Sequence, residues 1–190
     1  MELRDAVLSR RSVRKYKDTP VPREILEEIL ETACWAPSAD NRQPWYFVAL
    51  TGKEDIETLR GTMERVSEEI APHLEEMFPR HPNVVREVRL FLRSLGDAPV
   101  YVLAFLQKEE GHRESMLESV AAAIQNLLLA AREKGLGTCW VNAATGLGYG
   151  PVLRDLFAPG KDEFVSLITL GYPEIIPNAP KRKPGRWVIR

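Results

Sequence analysis

The sequence predicts a single α+β domain whose partly antiparallel sheet is covered by helices on both faces. Two nearly continuous apolar runs, 46–50 and 99–106, are rich in β-forming residues, and such runs are typical of strands buried on both sides. The segments around them repeat apolar residues at helical spacing. No internal repeat or linker divides the 190 residues, a length that buries a core as one domain or as one half of a dimer.

The first half of the chain is predicted to hold helices around one strand. Residues 2–9 predict a short helix, and an apolar stripe over residues 25–33 predicts a second helix that ends before Pro37. The strand at 46–50 follows. Residues 53–95 are rich in Glu and Arg, and their periodicity predicts helices that are broken near three prolines: Pro72, Pro79 and Pro82.

The second half begins with the strand at 99–106 and contains the strongest helix signal, residues 118–134, which Gly135 ends. Strands are predicted at 138–141 and 164–170, with a short helix near 152–157 between them. From residue 171 onward the chain is proline-rich and basic, and we expect it to lie outside the core.

Composition argues against a broad electrostatic partner. The net charge is −1 and the pI is about 6.3, whereas nucleic-acid or membrane binding needs an extended positive field. Locally dense positive charge occurs in two short clusters, 10–15 and 181–183. We therefore expect a small anionic partner, with no nucleic acid and no membrane.

The cysteines and histidines predict no metal and no disulfide framework. Cys34 and Cys139 form no CxxC pair, and His73, His81 and His112 lack the spacing of a metal site. The charged N-terminus lacks the apolar stretch of a signal peptide, and no apolar run approaches the roughly 18 residues of a membrane span. We expect a soluble, cytoplasmic protein.

The basic stretch Ser9–Tyr16 allows two interpretations. Its cations could simply complement the end of the first helix and remain solvated. Alternatively, its arginines could offer planar guanidinium donors to phosphate oxygens, with the Ser12 hydroxyl bonding phosphate or a sugar alcohol. The segment alone does not decide between them.

Two further segments combine turn chemistry with possible binding. Residues 36–45 form a helix-to-strand connection in which Asn41 and Gln43 each offer a donor and an acceptor, which suits the edge of a planar heterocycle. Residues 135–140 begin with two glycines that either end a helix or let backbone amides approach a ligand. The glycines at 146–150 lack the third glycine of a dinucleotide fingerprint, because Pro151 occupies its place.

Taken in order, these motifs resemble the FMN-dependent nitroreductase family over essentially the whole chain. The motifs are Arg10-Arg11-Ser12-Val13-Arg14-Lys15-Tyr16, Pro37-Ser38-x-x-Asn41-x-Gln43-Pro44-Trp45, Gly135-Leu136-Gly137-Thr138-Cys139-Trp140, Gly171-Tyr172-Pro173 and Lys181-x-Lys183. The resemblance implies a three-layer sandwich in which helices flank a mixed, mostly antiparallel central sheet. It also implies an intertwined homodimer in which a tail of about residues 171–190 wraps the partner subunit.

The resemblance further implies one FMN at each of two sites between the subunits. Arg10 would lie toward the phosphate and Arg14 toward the pyrimidine edge of the ring. The remaining implied contacts of the same subunit are Arg11, Ser12, Leu136, Gly137, Thr138, Lys181 and Lys183. The partner subunit would contribute Pro37, Ser38, Ala39, Asn41 and Gln43.

The chain departs from the family pattern at three places. Ala39 stands where many members carry a second serine, and Lys183 stands where arginine is frequent, which removes a bidentate contact to phosphate. Residues 53–95, which tend to shape the substrate pocket in this family, offer no motif that can be matched.

The function implied is reduction of nitroaromatic, quinone or flavin acceptors by NADH or NADPH in a ping-pong hydride transfer. No catalytic side chain is required, because the flavin carries the chemistry. Two alternatives stay open. The chain could be a specialised relative that fragments reduced flavin or removes halogen from an aromatic amino acid, or it could be a flavin-binding or structural dimer without activity.

Overall fold

The computed structural model describes residues 1–107 and 111–190, and it contains a four-stranded sheet between two layers of helices. The strands are β1 (Trp45–Leu50), β2 (Val100–Leu106), β3 (Gly137–Val141) and β4 (Phe164–Gly171), in the spatial order β1-β2-β4-β3. All three ladders are antiparallel, and an isolated bridge between Ser12 and Thr138 adds a parallel pairing at the β3 edge. The predicted strands and the three-layer architecture are confirmed.

One face of the sheet packs against α2 (Arg23–Ala33) and α6 (Arg113–Glu133), while α1 (Leu3–Ser9) lies on α6. The predicted stripe of α2 points inward, since Ile29 and Ala33 are fully buried. Helix α6 begins earlier than predicted. Its first turn is polar, so the apolar periodicity that marks the rest of the helix is absent there.

The opposite face packs against α3 (Lys53–Glu69), α5 (Pro82–Ser94), α7 (Ala143–Gly146) and α8 (Gly150–Phe157), and α4 (Ala71–Met77) lies beside α3 and α5. Strand β2 is buried along its whole length because its alternate residues enter the two cores. The predicted breaks at Pro72 and Pro82 are confirmed as helix starts. Helix α7 was not predicted, because four residues are too few to show a period.

The end of α6 explains the first glycine of the 135–140 motif. Gly135 has a φ of 77°, its N–H donates to the Arg132 carbonyl (3.1 Å), and the Leu136 N–H donates to the Ala131 carbonyl (2.9 Å). These bonds form a Schellman motif, in which a left-handed residue ends the helix and satisfies its last carbonyls. This glycine therefore directs the chain from α6 into β3.

The tail is exposed from Glu174 onward, later than predicted, because Gly171 is buried as the last residue of β4. The Glu174 N–H donates to the Lys15 carbonyl (3.0 Å), and the Lys17 N–H donates to the Tyr172 carbonyl (2.9 Å). The start of the tail thus runs beside the basic segment. No helix within the described ranges is long and apolar enough to cross a membrane.

The phenol of Tyr16 fastens this region to the sheet. Its hydroxyl donates to the Val13 carbonyl (2.8 Å) and lies 2.6 Å from Thr169 Oγ1, with only 5% of the residue exposed. Burial raises the pKa of Tyr16 well above its usual range, an effect that the Thr169 hydrogen bond only partly offsets.

We predict that Tyr16→Phe destabilises the fold by about 1–3 kcal/mol at neutral pH, because the buried Thr169 hydroxyl loses its partner. Above pH of about 10 the unfolded phenol ionises while the folded phenol stays protonated, so the stability of the native protein falls as pH rises. Chemical unfolding from pH 8 to 11 should show that fall to be shallower in Tyr16→Phe. An unchanged slope would contradict the assignment.

Candidate functional site

The basic segment follows α1 and runs along the outer edge of β3. The Arg10 N–H still donates to the Ala6 carbonyl (2.9 Å), after which the Val13 N–H donates to the Thr138 carbonyl (2.9 Å). Val13 is buried, while Arg14 and Lys15 are exposed. The segment therefore presents its cations outward from a backbone that the sheet holds in place.

The glycine at the start of β3 permits this approach. A Cβ at Gly137 would lie 2.6 Å from Val13 Cγ2, a separation that real side chains do not show. Leu136 and Thr138 are also buried, and their backbone groups are bonded to Ala131 and Val13. These three residues support the basic segment from behind, and their predicted contact with a cofactor stays a prediction.

The arginines of the segment have different local roles. Arg11 Nη1 donates to the carbonyls of Leu8 (2.8 Å) and Arg10 (2.6 Å), so the helix-capping interpretation holds for Arg11. Arg10 and Arg14 have no carboxylate partner among the described residues. Two guanidinium groups are thus available for an anionic ligand.

A cavity of about 370 Å³ opens beside Arg14. It lies between the outer edge of β3, the start of α7 and one face of α5. Its lining consists of Arg14, Ile70, Val84, Glu87, Val88, Phe91, Leu92, Cys139, Trp140, Val141, Asn142 and Ala143. The volume falls within the range of small-molecule sites, and the wall is mostly apolar with a few polar groups.

Two walls of this cavity were not predicted. The face of α5 contributes Phe91, whose ring centroid lies 5.8 Å from Arg14 Cζ. The link from β3 to α7 contributes Asn142, whose Oδ1 accepts a hydrogen bond from Ser166 Oγ (2.8 Å). An amphipathic pattern shows which side of a helix is buried, but it does not show which distant cation faces that side.

The two polar groups of β3 at the cavity carry no nucleophilic chemistry. Burial raises the pKa of the Cys139 thiol, and the nearby Arg14 and Arg10 only partly offset this effect, so the thiol is protonated at neutral pH. The Trp140 indole N–H is buried without a hydrogen-bond partner in the described part of the chain. Within that part, no group of three or more His, Cys, Asp or Glu could hold a metal ion.

The loop before β1 carries the predicted amide pair in a strained backbone. Asp40, Asn41 and Gln43 have φ values of 53°, 52° and 51°, in the left-handed region that non-glycine residues rarely occupy. Two local bonds hold the loop: the Gln43 N–H donates to Ser38 Oγ (3.0 Å), and Gln43 Nε2 donates to Asn41 Oδ1 (3.1 Å). A third bond, from the Ala39 N–H to Ser119 Oγ (3.2 Å), fixes it to α6.

Within one chain this loop and the basic segment lie at opposite corners of the sheet. The loop precedes β1, whose Trp45 pairs with Leu106, while the basic segment borders β3, whose Thr138 pairs with Leu170. These positions are separated by three strand spacings and about six residues along a strand, or about 20–25 Å. One chain does not join the two halves of the predicted site.

The distances along α6 agree with this separation. The loop is bonded to Ser119, and α1 is bonded to the other end of the helix, where Arg132 Nε donates to Ser9 Oγ (2.9 Å). The helix between Ser119 and Arg132 spans about 20 Å at its usual rise. Lys181 and Lys183 lie in the exposed tail, and neither has a hydrogen-bond or ion-pair partner among the described residues.

Large apolar side chains are exposed at two places. One is a groove formed by α1, the end of α2 and α6, where Leu3 is 71% and Trp35 is 81% exposed. The other is the end of the tail, where Trp187, Val188 and Ile189 are all mostly exposed. Adjacent apolar side chains of this size are typical of a surface that another chain covers.

Known proteins are similar to this chain in sequence and in fold. The sequence profile of the Nitroreductase family matches residues 7–172. The Bacillus subtilis (strain 168) protein YfhC, provisionally named as an NAD(P)H nitroreductase, is 32% identical over 97% of this chain and 91% of its own length. The 4-nitrobenzoate reductase of Nocardioides sp. (strain LMS-CY) is 31% identical over 97% of this chain and 87% of its own length.

Two further proteins, a human enzyme and a solved bacterial structure, are also similar to this chain. Human iodotyrosine deiodinase 1 is 30% identical over 96% of this chain and 66% of its own length. A Desulfovibrio desulfuricans protein of provisional nitroreductase assignment, solved in complex with FMN, has a TM-score of 0.73 and 25% identity over 97% of this chain and 93% of that one. The resemblance in the motifs is confirmed, and this chain belongs to the Nitroreductase family.

Proposed function

We propose that the chain is an FMN-dependent oxidoreductase that takes hydride from NADH or NADPH and passes it to a nitroaromatic, quinone or flavin acceptor. It acts as a homodimer with two composite sites. The observation that carries this proposal is the pair of guanidinium groups without a carboxylate partner among the described residues, Arg10 and Arg14, which lie on a fixed backbone; Arg14 lines a largely apolar cavity.

The residues present fit FMN by their chemistry. A phosphate needs cationic donors, and the half-buried Arg10 supplies one at the start of the segment. A flat ring needs apolar walls, which Phe91 and Val141 supply, and a polar edge, which Arg14 faces. In the Desulfovibrio relative the ligand solved in the complex is FMN. Arg11, Ser12, Lys181 and Lys183 complete the proposed contacts of this subunit.

When bound, FMN accepts and donates the hydride, so the chain needs no side chain that forms a covalent bond. Arg14 then acts as an electrostatic group, because a fixed positive charge beside the ring favours added negative charge and raises the reduction potential. The neutral Cys139 thiol adds no competing nucleophile. The nicotinamide and the acceptor would occupy the same cavity one after the other. The first must therefore leave before the second binds, which gives the ping-pong order.

A second copy of the chain completes the site. Since Asn41 and Gln43 lie about 20–25 Å from the basic segment across their own sheet, the amide pair reaches a cavity only from another subunit. A twofold axis that sets two α6 helices antiparallel would bring the loop of one chain toward the segment of the other. The exposed apolar groove at Trp35 and the tail around Trp187 provide surface for that contact.

The acceptor is the open part of the proposal, and two relatives suggest different classes. The 4-nitrobenzoate reductase favours a nitroaromatic acceptor, whereas iodotyrosine deiodinase 1 favours a halogenated aromatic amino acid as the second candidate. The NADH or NADPH preference and the cytoplasmic location stay predictions.

We predict that the purified protein is yellow, or turns yellow with added FMN, with about one FMN per chain. It should oxidise NADH or NADPH under nitrogen and be reoxidised by a nitroaromatic compound. Parallel assays with iodotyrosine distinguish the two acceptor classes. A colourless protein that takes up no FMN would overturn the proposed function.

We predict that Arg14→Ala weakens FMN binding about tenfold or more, since a hydrogen bond to a charged group is worth about 1.5–3 kcal/mol. The flavin midpoint potential should also fall, because the positive charge beside the ring is lost. Arg23→Ala is the matched control, as Arg23 lies on α2 and its ion pair among the described residues is with Glu27. An unchanged potential at full FMN occupancy would remove Arg14 from the edge of the ring.

Subunit mixing tests the composite site. Arg14→Ala and Asn41→Ala should each impair activity, and a mixture refolded or co-expressed together should regain activity. In a mixed dimer one site carries both substitutions and the other carries neither, so random pairing restores about a quarter of the sites. If both halves of the site came from one chain, the mixture would be no more active than the average of the two variants.

A further inference from the structure

The turn between α5 and β2 is strained and tightly held. Its three residues, Leu95, Gly96 and Asp97, have left-handed φ values of 52°, 69° and 54°. Ser94 Oγ accepts the Gly96 N–H (3.1 Å), and Asp97 Oδ1 lies 3.1 Å from Arg60 Nη2. Leu95 is fully buried, so the turn is fixed on the core side as well. Two non-glycine residues in this region need such support to keep their conformation.

Gly96 lies directly against the backbone of Arg14. A Cβ at Gly96 would lie 2.5 Å from the Arg14 carbonyl oxygen and 2.8 Å from the carbonyl carbon. The Gly96 carbonyl in turn accepts the Tyr16 N–H (3.2 Å). The turn therefore fixes the backbone after Arg14 in two ways: Gly96 packs against the Arg14 carbonyl, and the Gly96 carbonyl accepts the Tyr16 N–H.

Helix α5, which ends at this turn, also contacts the Arg14 side chain. Phe91 lies one turn before the end of α5, and its ring faces the Arg14 guanidinium at 5.8 Å, within the range of a cation–π contact. Both residues line the cavity. The end of α5 and its turn thus contact Arg14 at both its backbone and its charged group.

We propose that the Ser94–Asp97 turn is a positioning element for Arg14, which sets where its positive charge lies at the cavity. Gly96 is the residue on which this depends, because any side chain there displaces the Arg14 carbonyl. The proposal rests on the proposed function, in which Arg14 faces the FMN ring. It links α5, which lines the cavity, to the electrostatic group that would tune the cofactor.

A purely structural turn would affect stability alone. The chain offers a matched pair of glycines to separate the two roles, since Gly96 and Gly135 have φ values of 69° and 77°. A Cβ at Gly135 meets nothing within 4 Å, whereas a Cβ at Gly96 meets Arg14. Alanine at either position carries a comparable backbone penalty, but only at Gly96 does it disturb Arg14.

The experiment compares Gly96→Ala with Gly135→Ala by FMN titration and by measuring the flavin midpoint potential at full occupancy. We expect Gly96→Ala to bind FMN about tenfold more weakly, as for loss of a charge-assisted contact, and to have a lower potential. Gly135→Ala should match the wild type in both measurements while losing thermal stability. Equal FMN affinity and potential in the two variants would overturn the proposal.

A double-mutant cycle shows whether Gly96 acts through Arg14. In the Arg14→Ala background, Gly96→Ala should produce no further change in potential. The same fall in both backgrounds would mean that the turn acts on the site by another route, which would also overturn the proposal. A wild-type protein that takes up no FMN would instead overturn the proposed function, and the inference with it.

Should Gly96→Ala fail to fold, Ser94→Ala provides the milder test. It removes the hydroxyl that accepts the Gly96 N–H and leaves the glycine in place. We expect a lower potential than in the wild type, with a smaller change than for Arg14→Ala. A wild-type potential in Ser94→Ala would count against the positioning role.

Discussion

The candidate site depends on the hydrogen bond from the Val13 N–H to the Thr138 carbonyl. This bond fixes the basic segment to β3, and the buried side chains of Val13 and Tyr16 anchor it on either side of Arg14. Basic residues on a free loop would lose considerable entropy on binding an anion. Here the sheet has already fixed the backbone. Gly137 and Gly96 lie where a Cβ would push the segment away, so the close approach is built into the sequence on two sides.

Much of the layered architecture follows from local patterns, whereas the site follows from contacts between distant residues. The apolar run of β2 and the stripe of α2 are short-range signals, and both elements lie where these signals indicate. Phe91 and Asn142 carry no such signal, because each belongs to the site only through its position beside Arg14. The motifs were informative for a different reason: the resemblance they carry spans the whole chain.

Neighbouring residues of one type also have different roles that periodicity does not reveal. The Arg11 guanidinium donates to two carbonyls at the end of α1. The Arg14 guanidinium makes a longer hydrogen bond, to the Ser12 carbonyl (3.4 Å), and lines the cavity. The helix-capping interpretation therefore holds for Arg11, whereas the anion-binding interpretation stays a prediction for Arg14. The direction of each side chain depends on the β3 edge, which the local sequence does not specify.

Backbone strain is concentrated beside the two halves of the proposed site. The five described non-glycine residues with positive φ all lie in two loops: Asp40, Asn41 and Gln43 before β1, and Leu95 and Asp97 before β2. Each such residue costs about 1–3 kcal/mol, a large amount beside a total stability of about 5–15 kcal/mol. One loop holds the amide pair and the other holds Arg14. The two loops precede adjacent antiparallel strands and so lie at opposite ends of the sheet. In the proposed homodimer, the amide loop of one chain would meet the Arg14 side of the other at a single cavity.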